Sequence, residues 1–253
     1  MINLSKESTG PGKSIDKKAT QEELLKLQEQ MSSLQNLLFA EKKYSLLIIL
    51  QGMDAAGKDG TIAHVFSYMN PMGVNVKAFK EPTPEEREHD FLWRVHPHVP
   101  AKGMIEIFNR SHYEDILVPT VHKTVEKQII ERRYSIINSF EQNLADAGTV
   151  ILKFFLHISK KEQKKRIEER LTIPEKKWKY DPADSAEEHN WDAYMSLYEK
   201  IFEACSPEFP WSIVPADHKW YRNYFIAKEI VKTLKSLKMK YPDKGNLMTN
   251  NLS

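Results

Sequence analysis

One stretch, Ser45-Leu-Leu-Ile-Ile-Leu-Gln-Gly-Met-Asp-Ala-Ala-Gly-Lys-Asp-Gly60, restricts the fold more than any other part of the chain. Leu46 to Leu50 form an apolar run that stops at Gln51. Glycines follow at Gly52, Gly57 and Gly60, with a lysine at Lys58, and Thr61-Ile-Ala-His-Val-Phe66 reads as a helix start. Strand, glycine turn and helix together are the setting of a phosphate-cradling loop, and Gly52 to Gly57-Lys58 has its spacing of glycine, four residues, glycine, lysine. Glycines let the backbone curl so that N–H groups over Gly52, Ala55, Ala56, Gly57, Asp59 and Gly60 can turn inward, and the helix N-terminus adds positive potential. Lys58 supplies a point charge for the terminal phosphates. The plainer alternative is a strand-turn-helix whose glycines serve only the turn; the context on both sides favours phosphate. The residue after the lysine is normally Ser or Thr, whose hydroxyl holds magnesium, and here it is Asp59. Asp54 lies inside the loop; an unpaired anion facing phosphates would be repelled, so it is expected to face a metal ion, a lysine or solvent.

The rest of the composition narrows the class. A chain of 253 residues has room for one large α/β domain, or one with an appendage. A formal net charge of +2 gives no argument for nucleic acid or a membrane surface as partner, so any basic site is local. The single cysteine, Cys205, excludes an intramolecular disulfide and fits a reducing compartment. No motif surrounds it, so it is expected to be a buried small hydrophobe rather than a nucleophile. Met1 to Lys18 is polar, without the apolar core of a signal peptide. No apolar run approaches a membrane span. The expectation is a cytoplasmic protein.

Along the chain, residues 1–19 and 241–253 are expected to be flexible, flanking a single domain over 20–240. Leu24, Leu27, Met31, Leu34 and Leu38 recur at helical spacing after a Thr20 cap; packing of that stripe on its own domain is preferred to a coiled-coil seam. Val74 to Phe79 predicts a second strand and Glu85 to Val95 a helix. His89, His96 and His98 lack cysteines and ligand spacing, which makes zinc a weak reading. Met104 to Phe108 predicts a third strand, ending in Asn109-Arg-Ser-His-Tyr-Glu-Asp115. Ligands of open α/β sheets bind beyond such carboxyl ends. A helix is expected from Val121 to Ala145, then a nearly continuous apolar strand, Thr149 to His157, as in a parallel sheet covered on both faces. After a helix over Lys160 to Leu171, the basic stretch with Arg166, Arg170, Lys176, Lys177 and Lys179 predicts a mobile lid, about 164–190, in preference to a solvated helix face. A helix over His189 to Glu203, a strand at Ile213 to Pro215 and a closing helix over Lys219 to Leu237 complete the chain. The alternation predicts a three-layer α/β sandwich with a five-stranded parallel sheet.

Five ordered segments, GMDAAGKDG, IFNRSHYEDILVP, RRYSIINSFE, FFLHISKKEQKKRIEER with WKYDPAD, and VPADHKWYRN, together resemble the family-2 polyphosphate kinases over nearly the whole chain. The resemblance implies a P-loop kinase fold of the thymidylate-kinase type with a helical lid. It also implies phosphate transfer between inorganic polyphosphate and AMP, ADP or ATP, with guanine nucleotides as further candidates, using Mg2+ or Mn2+, in a dimer or tetramer. Carried over position by position, Lys58 and the loop backbone hold the phosphates at the reaction centre. Asp54 is a metal ligand or an orienter of the acceptor phosphate, and Arg110 neutralises charge on the transferring group. Asn109, Arg110, Glu114 and Asp115 fall in the nucleotide-binding segment, and Arg133, Arg166 and Arg170 hold the polyanion. Arg133 has the alternative of pairing with Glu141 or Asp146.

One departure stands out. The commonest form of the segment after the third strand reads Phe-Asp-Arg-Ser, and here it is Phe108-Asn109-Arg110-Ser111. A neutral amide is a poorer magnesium ligand than a carboxylate, so either Asn109 acts through water or Asp54, Asp59, Glu114 or Asp115 shares that role. The Asn form resembles the class III subgroup, which phosphorylates nucleoside mono- and diphosphates. No nucleophile stands out, which favours direct transfer over a phosphoenzyme, and His157 is expected to pack or hydrogen-bond. Two rivals are an ATP-dependent nucleoside monophosphate kinase on the same fold and a non-catalytic sensor. The missing Ser/Thr at Asp59 speaks against the first; retention of Asp54, Lys58 and Arg110 speaks against the second.

Overall fold

A computed structural model describes residues 2–179, 188–205 and 207–243. Five strands form one parallel sheet: Ser45–Gln51 (β1), Val74–Ala78 (β2), Ile105–Asn109 (β3), Thr149–His157 (β4) and Trp211–Pro215 (β5), in the order β2-β3-β1-β4-β5. The helices are Lys17–Glu41 (α1), Lys58–Val65 (α2), Pro84–Arg87 (α3), Glu114–Val121 (α4), Lys127–Asp146 (α5), Lys160–Thr172 (α6), Trp191–Ala204 (α7) and Lys219–Ser236 (α8). β1 is central and buried at every position, which is why its sequence is an apolar run rather than an alternation. Its register with β3 sets Leu50 beside Asn109. The loops leaving β1 and β3 therefore emerge side by side at the carboxyl edge, where the winding of the sheet opens a crevice.

The leucine stripe of α1 is satisfied within the domain. Leu27, Met31 and Leu38 are buried and α1 packs on α8. The helix starts one turn earlier than the Thr20 cap suggested, because the Asp16 side chain accepts from Ala19 N at 2.7 Å. Two further expectations are corrected. The helix expected from Glu85 to Val95 is only Pro84–Arg87. Beyond it Asp90 caps Leu92 N at 2.9 Å and Arg94 turns back to Lys80 O at 2.8 Å, so side chains take the backbone partners a helix would use. The helix expected from Val121 starts only at Lys127 (α5): Val121 ends a separate, unexpected helix, α4, and the chain turns at Lys123 with φ 55° before α5 begins.

The first residues make specific contacts with the domain. Leu4 is buried; its N–H donates to Glu199 Oε1 at 2.7 Å, and its carbonyl lies 3.1 Å from His157 Nε2. Thr9 Oγ1 donates to Asp217 Oδ2 at 2.7 Å. Of the expected lid, α6 and the 3-10 turn Pro174–Lys179 are described, whereas 180–187 lie outside the described residues, as do 244–253 of the expected tail. The histidines of the second crossover serve as packing groups: His89 stacks on Trp93 with centroids 4.2 Å apart, and His96 meets the edge of Phe140. No helix among the described residues is long and apolar enough to cross a membrane.

Behind the sheet's centre lies a buried polar knot. Lys153 Nζ on β4 donates to Glu141 Oε2 at 2.6 Å, to Tyr113 Oη at 3.0 Å and to Cys205 O at 2.6 Å, while Tyr113 donates to Glu141 Oε1 at 2.8 Å. All three ammonium donors are used, which makes a buried charge tolerable. The knot ties the segment before α4 to α5, β4 and the end of α7. Burial pushes the Cys205 thiol up to about 12, so it behaves as the inert hydrophobe its surroundings suggest. Glu141→Gln is expected to lower unfolding free energy by about 3 kcal/mol, because it strands Lys153. Urea denaturation measures the loss, and Glu141→Leu with Lys153→Met should regain much of it.

Candidate active site

The loop between β1 and α2 is shaped by two left-handed residues. Ala55 has φ 61° and Gly57 has φ 104°. At Gly57 only glycine fits: a Cβ there would lie 2.0 Å from Arg222 Nη1. Ala56 N donates to Met53 O at 3.1 Å, closing the turn before α2 begins at Lys58. Arg110, where the chain leaves β3, is also left-handed with φ 63°. Left-handed non-glycine residues cost on the order of 1–3 kcal/mol each and persist where the surroundings over-determine them, often at functional sites. Here two of them, Ala55 and Arg110, lie in the two loops that leave β1 and β3.

Lys58 is 8% exposed and folds back over its own loop, with Nζ donating to Gly52 O at 2.7 Å and Met53 O at 3.2 Å. Burial, and then the nearby Arg110 charge, bring its pKa down to about 8. Arg110 Nη2 pairs with Asp54 Oδ1, and its Nη1 lies 3.3 Å from Glu114 Oε2. Glu114 foremost, with Asp54 adding to it, raises the Arg110 pKa above its ordinary value. Asp54 was expected to face a metal, a lysine or solvent; its partner is an arginine from the neighbouring strand. The two departures from the usual pattern prove to be one feature, since Asn109 Nδ2 donates to Asp59 Oδ1 at 2.7 Å. An aspartate at 109 would meet Asp59 as a like charge, whereas the amide can donate.

Three sequence-predicted residues are committed elsewhere. Asp115 is buried and accepts from Arg94 Nη2 at 3.2 Å; burial raises its carboxyl pKa. Arg133 donates to the Asp115 carbonyl and its guanidinium lies 4.9 Å from the Phe91 ring, in place of the expected alternative pairing with Glu141 or Asp146. Arg166 spends its donors on protein: Glu162 Oε1 at 2.9 Å, Ala55 O at 3.1 Å, Ala56 O at 3.0 Å, and Ala216 O and Asp217 O, both at 2.8 Å. Arg170 stands one turn further, in the last turn of α6. Gly60 lies in the first turn of α2, where an added Cβ would come no closer than 3.6 Å to Arg222. Sequence reasoning missed Arg94, Asp217 and Arg222. Asp217 and Arg222 fall within the segment VPADHKWYRN, but each of the three sits far along the chain from its target, so nothing local assigns it a role.

Comparison with known proteins bears on this arrangement. The family model described as "Polyphosphate kinase 2 (PPK2)" matches residues 14–242. The chain belongs to the polyphosphate kinase 2 family. An AMP/ADP-polyphosphate phosphotransferase of Meiothermus ruber is 49% identical over 227 residues, covering 89% of this chain and 85% of that relative. An ADP-polyphosphate phosphotransferase of Rhodopseudomonas palustris is 43% identical, covering 96% and 89%. The crystal structure of polyphosphate kinase 2 from Arthrobacter aurescens TC1 superposes with a TM-score of 0.93 at 43% identity, over 97% of this chain and 89% of that one. The polyphosphate kinase 2 match thus embraces the phosphate loop, the Arg110 turn, α6 and α8, and the fold is the five-stranded parallel α/β sandwich that the alternation of elements predicted.

Proposed function

We propose that the chain transfers phosphate directly and reversibly between inorganic polyphosphate and AMP or ADP. The observation that carries this reading is the meeting of two loops. Parallel register sets Leu50 beside Asn109. That brings the glycine loop with Lys58 against Arg110, Asp54 and Glu114. Phosphoryl transfer asks little covalent work of a protein; it needs alignment and neutralisation of charge on the transferring group. Lys58 and the loop amides hold phosphate, and Arg110 is placed to neutralise the transferring group. Asn109, Arg110 and Glu114 flank the acceptor, and Arg170 with the α6 lysines attracts the polyanion. The printed names of the relatives, and the asparagine at 109, support acceptance of both mono- and diphosphates.

Magnesium fits the donor set. Among the described residues no three His, Cys, Asp or Glu side chains gather into a metal cluster. Mg2+ characteristically takes one or two carboxylates and completes its shell with water and substrate phosphates. Asp54, with Asp59 or Glu114, would hold it. When bound it supplies neutralisation of charge between the phosphates. The chain's own part is to aim N–H groups and cations at the reacting oxygens. Assembly as a homo-oligomer, dimer or tetramer, belongs to the same proposal.

The test mixes the chain with Mg2+, polyphosphate and AMP or ADP, without ATP. Formation of ADP from AMP and ATP from ADP is expected. Products that form only when ATP is added as donor would overturn the proposal.

A further inference from the structure

Arg166 and Arg222 reach the phosphate loop from the protein interior. A guanidinium has five N–H donors, and the five acceptors of Arg166 are the Glu162 carboxylate and four backbone carbonyls, two of them in the loop. Arg222, on α8, is 2% exposed. Its Nε and Nη2 donate to Asn223 Oδ1 at 3.1 and 2.9 Å, and its Nη1 lies 3.4 Å from Ala56 O. Two guanidinium groups therefore converge on one carbonyl, that of Ala56.

A trans peptide is planar, with its C=O and N–H pointing to opposite sides. Drawing the Ala56 carbonyl inward turns the Gly57 N–H outward, toward the concave side of the loop. That amide immediately precedes Lys58, in the part of such loops that cradles phosphate. The missing Cβ at Gly57 is what lets Arg222 come so close. The arrangement is electrostatically costly. Burial, and then the neighbouring Arg166 charge, bring the Arg222 pKa down to about 10. The surplus positive charge behind the loop becomes favourable when an anion lies in front of it.

We propose that Arg166 and Arg222 are positioning residues for phosphoryl transfer, holding the Ala56–Gly57 peptide so that the Gly57 amide faces the reacting phosphates while neither arginine touches substrate. The inference rests on the phosphotransferase reading above and deepens it. Arg166 also ties the loop to the N-terminal segment: its partner Asp217 donates through its backbone N–H to Thr9 O at 2.9 Å.

The test uses Arg166→Met, Arg222→Met, Arg166→Lys and Arg222→Lys in the full chain. Steady-state kinetics are run over a salt series, and 15N-glycine spectra are recorded without substrate. Both methionine variants are expected to lose ~100-fold or more in kcat, the scale of a small misplacement, with KM for polyphosphate little changed. Arg222→Lys should recover part of the rate, since one donor suffices for Ala56 O. Arg166→Lys should not, since an ammonium cannot bridge both pairs of carbonyls. The Gly57 amide resonance should move in each impaired variant. A direct polyphosphate contact would instead raise KM and make the salt dependence shallower by about one in log–log slope, which would overturn the proposal. A lowered melting temperature with undiminished kcat would overturn it as well. If the wild-type chain turns over no polyphosphate, the functional reading fails by itself; the Gly57 resonance then decides the positioning inference, and an unmoved amide overturns it. If the methionine variants do not fold, the lysine pair carries the same comparison.

Discussion

Lys58→Ala is expected to lower kcat by at least ~10³-fold, the upper range for removing one pre-aimed donor from an oxyanion site, while the folded state persists. Lys58 bonds only the carbonyls of Gly52 and Met53, so its loss leaves the sheet and helices intact. Circular dichroism and a thermal melt check the fold, and a coupled nucleotide assay checks the rate. A near-normal rate would remove the loop from the chemistry. The depressed pKa gives a second signature. In the free enzyme Lys58 carries its charge below about pH 8 and loses it above. The Lys58-dependent part of kcat/KM should therefore fall as pH rises through about 8. The linked stability effect has the opposite sign. Between about 8 and the ordinary 10.5 the unfolded chain binds the extra proton, so the lysine's contribution becomes more favourable as pH rises through that window. Comparing Lys58→Met with the wild type across that window isolates the group.

Arg110→Met is expected to cost about 10³-fold or more in kcat, as loss of an arginine that neutralises a transferring phosphoryl group does. The residue is held in place three ways: its left-handed backbone at φ 63°, the pairing with Asp54, and Glu114 one helical turn on. Its removal also leaves two carboxylates facing the site without their cation, which would repel substrate phosphates. Arg110→Lys should recover little, because a single ammonium cannot bridge two carboxylates and a phosphate as the planar fork can. Kinetics at saturating polyphosphate, with AMP and ADP in turn, measure the loss. A rise in KM alone, with kcat untouched, would restrict Arg110 to substrate binding.

Much of this architecture could be read without coordinates. β1 and β4 are continuous apolar runs because both faces are covered, and runs of that kind identify a buried parallel strand directly. The glycine spacing around Lys58 identifies its loop because the turn itself demands those glycines. The boundaries around Glu85 to Val95 and Val121 were not legible. There, the side-chain cap from Asp90 and the left-handed turn at Lys123 outweigh helical periodicity.

The arginines divide along the same line. Lys58, Asp54 and Arg110 lie in the contiguous segments that carry the motifs, so local sequence was enough to mark all three. Arg133, Arg166 and Asp115 were marked as site residues by the family segments that carry them. The structure gives each of them a protein partner. Arg222 lies inside the segment VPADHKWYRN but drew no role of its own, since an arginine within a helix gains meaning only from what that helix crosses. The sequence by itself determined the parallel α/β sandwich, its phosphate loop and the family, because these depend on periodicity and on contiguous motifs. Tertiary structure alone decided that Asn109 completes Asp59, that Asp54 pairs with Arg110, and that two buried guanidinium groups hold the loop from within. Those pairings join residues 50 to more than 160 positions apart, and such distances are closed only by the packing of the whole domain.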